Sequence, residues 1–155
     1  MGYNILDIID KAINIQNKRK AILKSVLSQE KSSPSIKLMS KVLCTQLDKI
    51  IKYYYELKDE VRDIEFGEID IITYDKISFL INEFNIKTYN PEIDNVKDYL
   101  EFSLNLAKDT YSLFIDIQGR LIHNMDDTST KTYEILSKII NNIKKQILTI
   151  EKTIS

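Results

Sequence analysis

The sequence predicts an all-α fold, and three observations carry that prediction. Apolar residues recur at alternating steps of three and four, the periodic stretches are far longer than strands, and chain breakers are scarce. Three Gly and two Pro in 155 residues cannot supply the turns of a multi-stranded β fold. With 43% hydrophobic and 29% charged residues, the composition is that of one folded globular domain spanning residues 1–155.

The first helix, expected over about 4–30, carries Ile5, Ile8 or Ile9, Ala12, Ile15, Leu23 and Val26 on one face. The second, about 34–63, opens with Ser33-Pro34, a capping hydroxyl before a Pro suited to the first helical position. Its stripe is Met39, Leu43, Leu47, Ile50, Tyr54, Leu57 and Val61. The third, about 95–122, shows Leu100, Leu104, Ala107, Tyr111, Phe114 and Leu121, interrupted by Gln118, an inward position suited to pairing with Gln46 or Tyr111. In the fourth, about 128–154, Leu136, Ile140, Ile143, Ile147, Ile150 and Ile154 share one face, with Asp126 and Asp127 as caps. Short links near 30–34 and 124–127 imply two antiparallel hairpins. The connector at 64–94, with a short helix at 75–84 built on Ile77, Leu80, Ile81 and Phe84, is long enough to cross the bundle from end to end. An up-down-up-down bundle with the connector as a lid is the alternative.

Composition excludes several function classes. One Cys, Cys44, rules out an intramolecular disulfide and Cys-based metal clusters, and beside Leu43 it reads as a small buried hydrophobe. One His, His123, excludes sites needing two imidazoles from one chain, and next to Asn124-Met125-Asp126 it reads as a helix-end imidazole. No P-loop, GxGxxG or Ser-His-Asp arrangement occurs. Net charge is −1, but residues 56–101 hold 13 acids against 5 bases, while residues 1–31, 32–55 and 128–155 each come to +3. With three Arg in all and no basic–aromatic interleaving, nucleic acid is not an expected partner. No apolar run reaches the roughly 18 residues of a membrane span, and Asp7 and Asp10 stand where a leader would be basic. Leu6 stands where myristoylation wants Ser or Thr. A cytoplasmic protein is expected, and the Ile, Lys and Asn richness suggests A/T-rich coding in a low-G+C bacterium.

Two segments carry a family resemblance. Ile8–Leu23, IIDKAINIQNKRKAIL, and Tyr99–Phe114, YLEFSLNLAKDTYSLF, resemble the first- and third-helix patterns of rubrerythrin-type ferritin-like proteins. In that family such runs read A-I-E-I-E-E-K-G-I-E-F-Y and A-L-E-F-A-L-E-M-E-K-D-S-Y-E-F-Y; the phrases LEF and KDTYSLF carry the second match. The halves of the chain also align with each other, as an internal duplication implies. The resemblance implies a ferritin-like four-helix bundle, two antiparallel hairpins joined by a long crossover. In the family, two irons are held by one Glu from each of two helices and a Glu-x-x-His from each of the others. Carried onto this chain, those positions are Gln16, Leu47, Ile50, Ala107, Ile140 and Ile143. Five are apolar and one is a neutral amide, so the resemblance implies a bundle whose di-iron ligands are lost.

The expected function is therefore a non-catalytic structural or protein-interaction module without cofactor or metal, self-associating as a homo-oligomer such as a dimer. A rubrerythrin-type di-iron redox or iron-handling protein is the alternative, and a small-ligand carrier is the third. Off-stripe residues Ile13, Ile22, Ile51, Phe102, Ile115 and Ile139 supply the expected association face. In Tyr53-Tyr54-Tyr55, Tyr54 belongs to the core and at least one neighbour should be exposed. Gln16 and Arg19, three apart, mark a candidate polar pocket for a small anion or carboxylate. The competing reading of Arg19 puts it at the stripe's edge with its head in solvent.

Overall fold

A computed structural model describes residues 4–26, 33–63, 69–87, 89, 91–122 and 130–154. Five helices account for nearly all of them: α1 Ile5–Val26, α2 Pro34–Val61, α3 Ile71–Ile86, α4 Val96–Arg120 and α5 Lys131–Ile154. The protein is all-α, with no strand among the described residues.

Local chemistry writes the helix starts. Asn4 Oδ1 accepts from the Leu6 amide at 2.9 Å, while Asp7 Oδ2 accepts from the Asn4 amide at 2.8 Å, a reciprocal capping box. Ser33 Oγ caps α2 by accepting from the Ile36 amide at 3.2 Å, just before Pro34. Asp70 and Asn95 cap α3 and α4 through the Thr73 and Asp98 amides, at 2.9 and 2.8 Å. Thr130 Oγ1 accepts from the Tyr133 amide at 3.2 Å and so caps α5, whereas the expected caps Asp126 and Asp127, like His123, lie outside the described residues. The short helix begins at Ile71, four residues before the expected start, because the Asp70 cap precedes the apolar pattern.

Two intimate helix pairs, α1 with α2 and α4 with α5, form the frame. Ion pairs Lys58–Asp10 and Lys20–Asp48, both 2.6 Å, fix α1 antiparallel to α2. Gln118 Nε2 donating to Ser137 Oγ at 2.8 Å, with Lys108 facing Glu151 at 4.0 Å, makes α4 antiparallel to α5. Between the pairs, Tyr99 at the start of α4 donates its hydroxyl to the Leu23 carbonyl in the last turn of α1, at 3.0 Å. Tyr99 also sits beside Ser40, near the start of α2. Helices α2 and α4 therefore start at the same end, and the chain between Val61 and Val96 returns the length of α2, about 40 Å at 1.5 Å per residue. Helix α3 covers much of that return and packs on α4, with Tyr74, Ile77, Ile81 and Phe84 buried.

The core is one aliphatic cluster fed by every helix. Its packing corrects the expected association face. Ile13 and Ile139 are buried, and Ile22, Ile51 and Phe102 pack partly buried against the core, which leaves Ile115 alone of the six exposed. Each of α1, α2, α4 and α5 meets more than one neighbour, so its apolar arc is wider than a single stripe and takes in residues one position off it. Helix α4 is turned by about one residue from expectation: Ser103, Leu106, Thr110 and Ile117 point inward, while Leu104 and Tyr111 flank the core. Thr110 tolerates burial because its hydroxyl donates to the Leu106 carbonyl at 2.8 Å. Gln118 bonds to Ser137 and the Tyr133 carbonyl on α5, not to Gln46 or Tyr111.

Candidate functional site

Helices α1 and α2 bring Gln16, Arg19 and Tyr54 together inside the bundle. All three are fully buried, with Arg19 at 0% exposure, so the expectation that its head reaches solvent is corrected. Positions 16 and 19 lie three apart, which places them on one helix face beside Ile15 and Leu23; a side chain there points into the core and cannot snorkel out. Arg19 Nη1 donates to Gln16 Oε1 at 2.8 Å, and Gln16 Nε2 donates to the Tyr54 hydroxyl at 3.3 Å. That chain uses one guanidinium nitrogen. Arg19 Nε and Nη2 are buried and meet no acceptor among the described residues.

The electrostatics follow from burial. Loss of water lowers the Arg19 pKa from its ordinary value to about 10, so the group remains a cation at neutral pH. The same desolvation pushes the Tyr54 phenol well above its ordinary value, partly offset by the Gln16 hydrogen bond and the Arg19 charge. No carboxylate is among the hydrogen-bond or charge partners that touch Arg19. A lone buried cation is costly, and this one is the largest fully buried side chain of the described residues.

The positions carried over from the di-iron pattern are all inward. Leu47, Ala107 and Ile143 are fully buried, Ile50 and Ile140 nearly so, and all five belong to the apolar core. They do not fit an iron pair. Aliphatic carbons donate no electron pair, the Gln16 carbonyl is engaged by Arg19, and a guanidinium next to that position repels a second cation. Of the mid-helix acids, Asp48 faces outward in its ion pair with Lys20, and among the described residues no three His, Cys, Asp or Glu side chains converge. Cys44 is buried, with Sγ 4.0 Å from Ser40 Oγ.

A second polar group was not legible in the sequence. Between α2 and α5, Gln46 Oε1, Asn142 Oδ1 and Gln146 Oε1 are buried without donors around a cavity of about 260 Å³ that Lys49 and Lys145 also line. The signal for it is the placement of each amide one position off an apolar stripe, a pattern that solvent-facing residues share. Of the tyrosine triplet, Tyr54 is buried, Tyr53 packs partly against the core and Tyr55 is 52% exposed, as periodicity requires.

No protein-family model matches the chain, and neither a curated protein nor a solved structure is significantly similar to it.

Proposed function

We propose that the chain is a ferritin-like four-helix bundle that has exchanged metal chemistry for an ordinary core and works as a non-catalytic interaction module in the cytoplasm. The observation that carries this reading is the set of inward positions Leu47, Ile50, Ala107, Ile140 and Ile143. All are buried and apolar where the resembled family needs carboxylates and imidazoles. The pairing of α1 with α2 and α4 with α5, with α2 and α4 starting at one end, supports the ferritin-like connection. No helix among the described residues is long and apolar enough to cross a membrane.

The partner this reading favours is a second copy, docked through the outer face of α3. Ile72, Phe79 and Ile86 lie seven apart on that face and are 66%, 63% and 71% exposed. Lys76 and Glu83 flank the stripe on one side. In an antiparallel pairing about Phe79, that flank meets itself, so Lys76 of each copy faces Glu83 of the other. The stripe is thus self-complementary in charge as well as apolar. Light scattering of purified protein should give a dimer mass, and Phe79→Asp should give a monomer with unchanged helicity. A concentration-independent wild-type monomer overturns the interaction reading. Two iron or manganese ions per chain in elemental analysis overturn the loss of metal chemistry.

A further inference from the structure

We propose that the Nε–Nη2 edge of Arg19 is the recognition element of a buried site for a small carboxylate anion. This inference is independent of the dimer reading. The two buried nitrogens without protein acceptors are the pair on one edge of the guanidinium. Their N–H bonds run side by side, the geometry that meets both oxygens of a carboxylate at once. The third nitrogen, Nη1, is anchored at 2.8 Å to Gln16, itself held by Tyr54, so the fork is oriented before any ligand arrives. A pre-oriented fork with no carboxylate partner among the described residues is a donor set lacking its acceptor, and its positive charge selects an anion.

Size and approach narrow the ligand. The core that α1 and α2 share is close-packed and apolar, so the ligand must be a short acid, with an apolar tail of one or two carbons at most rather than a second charge. A cleft of about 710 Å³ opens between α1 and α2, lined by Lys20, Lys24, Lys37 and Lys41 against one acid, Asp48. Its positive field concentrates anions at the helices that carry the fork. Arg19 is charged at neutral pH despite its burial, so the site binds the ionised acid.

Acetate is the probe. The full chain, freed of carboxylate buffers, is titrated with sodium acetate and with sodium chloride at matched ionic strength, while thermal unfolding and the ¹³C line width of labelled acetate are followed. The expected result is a saturable rise in Tm with acetate, little response to chloride, and broadening of the carboxylate line. Arg19→Met, which keeps the volume and removes the donors, should abolish both responses. Arg19→Lys, which keeps the charge without the fork, should weaken binding about tenfold or more. Absence of a saturable acetate response, an equal response to chloride, or a response that survives in Arg19→Met overturns the proposal. If neither variant folds, the wild-type comparison of acetate with chloride decides it.

Discussion

Arg19 shows how far one side chain departs from what composition suggests. A long cation one register step from a core stripe ordinarily lays its stem on the apolar surface and keeps its head wet. Here the helix face it occupies is enclosed, so water is stripped from the head and only Gln16 compensates. The lowering of its pKa to about 10 corresponds to about 3 kcal/mol of cost to the folded charged form. Arg19→Met should therefore leave stability unchanged or raise it by about 1–4 kcal/mol in carboxylate-free buffer at pH 7, measured by urea unfolding. The sign with pH is definite. The folded pKa is lowered, so the cost is fully present below about 10 and is relieved as pH rises toward the ordinary, unfolded value. The advantage of Arg19→Met should accordingly shrink above pH 10. A variant destabilised by several kcal/mol at pH 7 would mean that Arg19 has a favourable partner in solution.

Helices are the scale at which the sequence is most legible. Steps of three and four in α5 put Leu136, Ile140, Ile143, Ile147 and Ile150 inside, and all are buried. Ile143→Ala should cost about 2–5 kcal/mol in chemical denaturation, whereas Leu148→Ala, 48% exposed on the opposite face, should stay within about 0.5. Similar losses at both positions would place the helix in a different rotation. The cap of α2 was equally plain, since Ser33-Pro34 needs only its own neighbours to act. What periodicity does not carry is the width of the buried arc. That width depends on how many helices surround each one, so Ile13 and Ile139 pass from surface candidates to core. Helix α4 makes the same point: the expected stripe passes beside Ser103 and Thr110, yet the inward face runs through them.

Whole-molecule topology rests on a few contacts distant in sequence. The Tyr99 hydroxyl donates to the Leu23 carbonyl, in the last described turn of α1. This bond ties the start of α4 to the end of α1 and so fixes which end of the second pair meets the first. Tyr99→Phe should cost about 1–2 kcal/mol in thermal or urea unfolding, because a buried acceptor loses its donor while the ring still fills its place. A negligible cost would mean that packing alone sets the arrangement of the pairs. The outer stripe of α3 belongs to this scale too, since only the seating of α3 on α4 leaves Ile72, Phe79 and Ile86 facing outward together.

Residues acting on near neighbours were settled by the sequence: the helical class, the cap of α2, most of the inward rows, and the apolar character of Leu47, Ile50, Ala107, Ile140 and Ile143. Those features depend on the 3.6-residue period and on transfer of side chains from water, both of which act within a few turns of chain. Tertiary structure alone decided that Arg19 is enclosed with two donors to spare, that three amides gather between α2 and α5, and that α3 keeps one apolar face outward. The physical reason is common to all three. Whether a polar or apolar group is satisfied depends on atoms contributed by other helices, and their positions follow from how the pairs pack rather than from any local pattern.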